Sequence, residues 1–447
     1  MTATPIDIII NHVVKGDLIM KRKIVLVGGG SFKFAPGIMK NALLSKHLRD
    51  SEFVLYDPNY ELAALMLKLG LRMNETLKSG LKLKVERTRK KALSGADFVF
   101  LSINVGGFKA HLQDIEVPYS RGILQSVGDT VGPGGVFRTL RFVPAVLDIC
   151  RDMEKLCPKA LLISYTNPMI PIIQAVNLHT KIRAIGMCHD YLKTVKEIND
   201  LFGGKIEYMY AGLNHCVWML EIKKEGKSLY PKLEDLVKKN KIPDYMRVKF
   251  DVFRNFGYIP AAGEKHVAEF FPYYLRPDVD YKRDWKLDLR QDALKPMMKE
   301  RDSVLADITA EVNGTQGIRG LFEPSRELGV EVIESVMTGK PKVFNINMLN
   351  LGAVPNLPAD SVLEMPVRVS GKGFKPLPLK ALPDTLLWNT LSHSIKLKLA
   401  MEAAVFGDKK KALAALLADP ACVDTDIAKE MLDTMIKLQP EYLGRLK

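Results

Sequence analysis

Residues Lys23 to Ser31 read KIVLVGGGS, a short apolar run that enters three consecutive glycines. An apolar run with no polar alternation, closed by turn residues, is a strand covered on both faces, as in a parallel sheet. The glycines permit a tight turn into SFKFAPGIMKNALL (31–44), which reads as a helix. The pattern then repeats. FVLYD (53–57) is a strand ending in an acid, and 61–77 carries Leu and Met at helical spacing. ADFVFLSI (96–103), ALLISYTNP (160–168) and RAIGMC (183–188) read as further strands. Strands alternating with helices predict an α/β, Rossmann-like doubly wound parallel sheet over residues 22–204. Beyond 204 the alternation fades. Residues 205–227 read as antiparallel strands around a turn, and 300–312, 384–406 and 410–417 as helices. Residues 205–447 are therefore expected to form a second, mixed α+β domain. Residues 1–21 precede the pattern as an extension, and Met20 could equally start the chain. The apolar patch Ile6–Ile10 has no basic segment before it, so a signal peptide is not expected.

Charge and cysteine content narrow the classes. The net charge is +14, but the lysines are scattered and the longest unbroken run is Lys409–Lys411. Without aromatic–basic interleaving or zinc-finger spacing, nucleic acid is not an expected partner; an anionic small substrate fits the charge better. No run of 18 apolar residues occurs, so neither a spanning helix nor a membrane partner is expected. The five cysteines, at 150, 157, 188, 216 and 422, form no disulfide framework, and a reducing cytoplasm is the expected setting.

Three constellations carry chemistry. Gly28-Gly29-Gly30-Ser31 follows a strand, and Asp57 ends the next one. Glycines let backbone approach a pyrophosphate, and the acid can accept from the ribose hydroxyls of NAD. The third glycine of the dinucleotide fingerprint is replaced by Lys33, and a plain βα turn would also use such residues. Gln125 to Gly135, QSVGDTVGPGG, reads as a close-approach loop of the kind that serves ligands. Cys188-His189-Asp190 and Asn214-His215 each follow a predicted strand. A thiolate and an imidazole suit a divalent transition metal at an open site, although buried cysteines and packed histidines without a metal are also common at strand ends.

Taken together, KIVLVGGGS, QSVGDTVGPGGVFRTLR (125–141), SYTNPM (164–169), GMCHD (186–190), GLNH (212–215) and NMLNLGAVPNLPADSVLEMP (347–366) resemble glycoside hydrolase family 4 across nearly the whole chain after Met20. The resemblance implies a glycosidase dependent on NAD and a divalent metal, usually Mn2+, outside the ordinary two-carboxylate scheme. In that chemistry hydride leaves C3, a base removes the C2 proton, the aglycone departs, water adds and the hydride returns. By the same resemblance, Cys188 and His215 are the metal ligands, Asn167 binds substrate, and Gly28, Gly29, Gly30, Ser31 and Asp57 hold the cofactor. Asp114 would tune the catalytic base, and His189 would protonate the leaving group. The base falls in FGYIPAAGEKHVAEFFPYYL (256–275), with His266 placed ahead of Glu264, Glu269 and Tyr258.

QSVGDTVGPGG and YIPAAGEKHVAEF are most similar to the α-galacturonidase branch, which releases galacturonate from pectin fragments; Asp190 departs from it. A uronate carboxylate suits a planar arginine, and Arg138, Arg141, Arg290 and Arg319 are candidates. α-Galactosidase, α-glucosidase and α-glucuronidase are the alternatives within the family. An NAD-dependent 2-hydroxy-acid dehydrogenase and a noncatalytic NAD sensor are the alternatives outside it. The resemblance also implies a homo-oligomer, a dimer or tetramer.

Overall fold

In the computed structural model, which describes residues 21–447, Lys23–Val27 forms strand β1 with four of its five residues buried. The strands that follow are β2 (Glu52–Tyr56), β3 (Lys82–Val85), β4 (Phe98–Leu101), β5 (Leu161–Ser164) and β6 (Arg183–Gly186). These six lie parallel in the order β6-β5-β4-β1-β2-β3. Val25 pairs with Val54 on one side and Val99 on the other. That is the doubly wound Rossmann order, whose ligands sit beyond the carboxyl ends of the strands. Two of the helices between the strands start on side-chain caps. Asn59 accepts from Leu62 N at the head of helix Tyr60–Leu77, and Thr88 caps Arg89–Leu93. The expected extension, with Met20 and the Ile6–Ile10 patch, lies outside the described residues.

The sheet does not stop at residue 204. The remaining strands are β7 (Glu207–Leu213), β8 (Cys216–Lys224), β9 (Lys227–Ser228), β10 (Pro260–Ala261), β11 (Lys342–Leu349), β12 (Val362–Ser370) and β13 (Gly373–Pro376). They extend the same sheet in the order β10-β8-β7-β12-β11-β6. The antiparallel pair β11–β12 is inserted as a wedge between β6 and β7. Asn347 of β11 pairs with Gly186 of β6, Glu364 of β12 with Asn347, and Glu364 with Gly212 of β7. One row of residues, Gly186–Asn347–Glu364–Gly212, thus crosses the sheet. A second, smaller core, built on Tyr210, Met219, Phe250 and Ile259, is separate from the main one.

Two elements differ from the sequence expectation. β3 alternates charged and apolar residues because it is the outer strand of the sheet, and its pattern was too weak to read. QSVGDTVGPGG is a loop only to Val131. Gly132 opens helix Gly132–Leu156, with Pro133 in the first turn, where its missing N–H costs nothing. Among the described residues no helix is long and apolar enough to cross a membrane.

Gly28 shows how tightly the first turn is built. Its φ is +88°, and a Cβ there would stand 1.9 Å from Ser102 O. Gly28→Ala should destabilise the chain by about 1–2 kcal/mol of backbone strain alone, plus the cost of displacing that carbonyl. Gly95 (φ +69°), with nothing within 4 Å of a built Cβ, supplies the control. Urea unfolding should show a clearly larger loss for Gly28→Ala than for Gly95→Ala. Equal losses would mean that the close approach is absent.

Candidate active site

The expected cofactor residues cluster at the carboxyl end of β1. Gly28 N and Gly29 N both donate to Tyr56 O, Ser31 N to Gly28 O, and Gly30 N to Asp57 Oδ2 at 3.1 Å. The turn therefore spends its own donors on holding its shape. Its contribution to a dinucleotide is close approach, since at the head of helix Ala35–Leu44 the Ala35 N–H is taken by Ser31 O and Pro36 has none. Asp57 also accepts from Asn59 N at 2.8 Å, so the acid braces both the glycine turn and the next helix. Ser31 lies 3.3 Å from Ser102 of the neighbouring strand end, Oγ to Oγ.

A second cluster forms around His215. This residue sits in the two-residue turn between β7 and β8 with φ +71°, a strained conformation for a side chain-bearing residue. Its ring lies 3.8 Å from that of His266, and ligand-type atoms of Asp129, His215 and His266 all fall within 4.8 Å of one another. Burial alone would raise the Asp129 carboxyl, but His266, His215, Arg138 and Arg290 hold it well below the usual carboxylate range. Ionised, it accepts from Thr130 Oγ1 at 2.7 Å. The single hydroxyl proton of Thr130 is then committed, so its oxygen accepts from His215 Nδ1 at 2.8 Å. That fixes the tautomer and leaves Nε2 with its lone pair. Burial, reinforced by His266, pushes the His215 pKa down to about 4, so the ring is neutral.

Cys188 stands apart from this trio. Its thiol is pushed well up by burial, with Glu364 and Asp190 adding to the effect, and it contacts the Asn214 side chain and Asp190 N. Asp190 in turn accepts from Gly263 N at 2.7 Å, fixing the start of helix Glu264–Glu269, which carries His266. The donors fit a divalent transition metal: a soft sulfur, a tautomer-fixed imidazole and a carboxylate. His266 Nδ1 is buried without a protein partner and is free to meet a ligand or a substrate proton.

His189 Nδ1 pairs with Glu327 Oε1 at 2.9 Å, an interaction that raises the imidazole pKa. Asn167 Oδ1 and Arg138 Nε are both buried and unpartnered. Arg138 sits over Phe142, reaches His111 Nδ1 at 3.3 Å and touches Asn167 O. Burial and Arg138 push His111 down to about 3, so it is a neutral acceptor.

Other expected site residues are committed elsewhere. Asp114 makes a buried two-pronged pair with Arg141, which also donates from Nε to Val105 O and from Nη1 to Gln439 Oε1. Asp114 is thus wall structure beneath the loop, and Arg141 is not free for a substrate carboxylate. Arg319 pairs with Asp307 on the surface. Arg290 donates from Nε to Val127 O. Glu264 does not join the trio, because its carboxylate receives Val248 N and Lys249 N at the head of helix Arg247–Phe256. Tyr258 packs edge-on against Tyr230. Glu269 Oε1 receives Val127 N and Gly128 N, both at 2.8 Å, so this acid clamps the glycine-rich loop; burial pushes its carboxyl up to about 8. A cavity of about 520 Å3 opens beside that clamp, lined by Gln125, Glu269, Phe271 and Tyr273, and none of the trio faces it.

Asp129, Thr130, Glu327 and Glu364 were not singled out from the sequence. Asp129 and Thr130 lay inside a motif valued for its glycines, and Glu327 and Glu364 reach the site only through long-range folding.

Residues 23–203 match the family described as Family 4 glycosyl hydrolase, and residues 210–422 match its C-terminal domain. An alpha-galactosidase of Bacillus subtilis (strain 168) is 32% identical over 410 residues, covering 89% of this chain and 93% of that protein. An alpha-galacturonidase of Thermoanaerobacter italicus is 31% identical over 457 residues, covering 96% and 98%. The solved 6-phospho-alpha-glucosidase from gut microorganisms, in complex with NAD and Mn2+, superposes with a TM-score of 0.80 at 20% identity, over 96% of this chain and all of that one.

Proposed function

The chain belongs to family 4 of the glycosyl hydrolases, and from that premise we propose that it is an NAD- and Mn2+-dependent α-galacturonidase acting on short uronides in the cytoplasm. The observation that carries the mechanism is the Asp129–His215–His266 grouping with its unpartnered His266 nitrogen. The one that favours a uronide is Arg138, a buried guanidinium with an uncommitted Nε beside Asn167. A desolvated planar cation of this kind is suited to a carboxylate. The family membership displaces the dehydrogenase reading.

When bound, NAD would supply hydride-transfer chemistry and the divalent cation Lewis acidity toward developing negative charge on the sugar. Gly28 to Ser31 and Asp57 would hold the dinucleotide; Cys188 and His215, with Asp129 as an oxygen donor, would hold the cation. Asn167 Oδ1 accepts a sugar hydroxyl and so fixes the ring. His266 Nδ1 takes the C2 proton. His189, steadied at Nδ1 by Glu327, presents Nε2 to the glycosidic oxygen and donates the proton with which the aglycone leaves. Arg138 closes on the C6 carboxylate. Thr130 has no direct part; it keeps His215 in one tautomer.

The half-exposed apolar face of helix Asp384–Phe406, with Trp388, Ile395 and Phe406 outward, supports a homo-oligomer.

The deciding experiment supplies digalacturonate and an aryl α-galactoside, with NAD, Mn2+ and a thiol reductant, in D2O. Release of galacturonate bearing deuterium at C2 is the expected result. Cleavage of the neutral galactoside alone would keep the chemistry and overturn the sugar. NADH accumulating on a hydroxy acid, with neither glycoside cleaved, would overturn both.

A further inference from the structure

Glu364 lies in the middle of the sheet row Gly186–Asn347–Glu364–Gly212, between the strand that leads to Cys188 and the strand that leads to His215. It is 2% exposed; burial raises its carboxyl, and what opposes this is Asn214, His215, Asn347 and Tyr210, with no lysine or arginine among the named groups. Its partners are neutral donors. Oε1 receives the Tyr210 hydroxyl at 3.1 Å; Oε2 receives Asn214 Nδ2 at 2.8 Å and Asn347 Nδ2 at 3.3 Å. Because both amides turn their nitrogens to the carboxylate, their carbonyl oxygens face away, buried and unpartnered. The Asn214 side chain also contacts the Cys188 thiol.

A buried carboxylate matched only by neutral donors is costly unless positive charge arrives from elsewhere. Here the neighbouring groups that could share a cation are Cys188 and His215. We propose that Glu364 is a positioning residue of the metal site: through Asn214 it aims the Cys188 sulfur, and its buried charge offsets that of the dication. It touches neither metal nor sugar. The inference rests on the reading of Cys188 and His215 as metal ligands. It adds a residue from β12, far along the chain, that sets the spacing of the two ligand-bearing strands.

The test uses the full-length protein loaded with Mn2+ or Co2+. Glu364→Gln keeps the shape and removes the charge. It should weaken Mn2+ binding by about 10–100-fold, as loss of a hydrogen-bonding partner behind a ligand does, while NAD affinity stays at the wild-type value. The thiolate-to-cobalt absorption band should weaken or shift. If Glu364→Gln does not fold, Asn214→Ala cuts the link to sulfur, leaves the carboxylate in place, and should show the same selective loss of metal. Wild-type metal affinity and an unchanged band in whichever variant folds would overturn the inference. Cys188→Ser separates the two levels. A wild-type Co2+ protein with no thiolate band, matching Cys188→Ser, would remove the ligand reading and the inference together. A normal wild-type band with an unaffected Glu364→Gln would remove the inference alone.

Discussion

Cys188→Ser protein should still bind NAD yet lose hydrolysis by about three orders of magnitude. A Lewis acid contributes several kcal/mol to transition-state charge stabilisation, and each 1.36 kcal/mol is tenfold in rate. Serine is a poor substitute because its hydroxyl is hard and stays protonated, where the site offers a soft sulfur. The cofactor turn on β1 is built from Gly28, Ser31, Tyr56 and Asp57 and shares no hydrogen bond with Cys188, so NAD titration should be unaffected. Chelation of the wild-type protein should mimic the variant, and added Mn2+ should restore only the wild type. The comparison with His215→Ala is informative. If that variant loses activity and Cys188→Ser does not, the cation sits on Asp129, His215 and His266, the trio the geometry brings within 4.8 Å, and the sulfur is a bystander.

His266→Asn carries the second large effect. Removing a group that transfers a proton in the transition state costs about 10²–10⁴-fold. The rate is not the most telling readout, since many changes slow an enzyme. Exchange of the C2 proton with solvent is more specific. In D2O the wild-type product should carry deuterium at C2, and His266→Asn should incorporate deuterium as slowly as it turns over. Mn2+ affinity should fall far less than turnover. A collapse of Mn2+ binding in step with activity would make the ring a ligand, and the base would have to be sought elsewhere. Glu264 is a poor candidate for that role, because both its oxygens are engaged on backbone N–H groups; Glu269 clamps the loop through Oε1 and keeps a buried, unpartnered Oε2, so it would be tested next.

The Rossmann half was legible in the sequence because its signals are local. KIVLV is apolar throughout since both faces of β1 are covered, and the glycines after it answer to one close approach, Gly28 against Ser102. β3 was not legible, because an outer strand keeps charged residues. In the site, residues inside short motifs were readable: Cys188, His189, Asn214 and His215 are adjacent pairs at strand ends. What turns them into a site was not. Thr130 reaches His215 across 85 residues and Asn214 reaches Glu364 across 150. Glu327 stands in no pattern that distinguishes it from other acids, and Glu364 lies in the 347–366 motif, where nothing local marks its chemistry. The arginines make the same point. Four were equivalent as letters, and only the fold showed Arg141 paired with Asp114, Arg319 with Asp307, Arg290 held on Val127 and Met297, and Arg138, in contact with His111 and Asn167 O, keeping a buried Nε without a partner.

The wedge of β11 and β12 has a consequence for how the protein is made. Chains fold as they emerge from the ribosome, amino-terminal units first. β1 to β6 contain everything the Rossmann sheet needs, so that half can take its shape, and accept its dinucleotide, while synthesis continues. The strands bearing Cys188 and His215 are also present by then, but nothing yet lies between them. Their separation is set only when Val362–Ser370 has been translated and inserted. On the proposed ligand set, a ribosome-stalled chain ending before β12 should take up dinucleotide but not Mn2+, which would make metal uptake the last event in the assembly of this site.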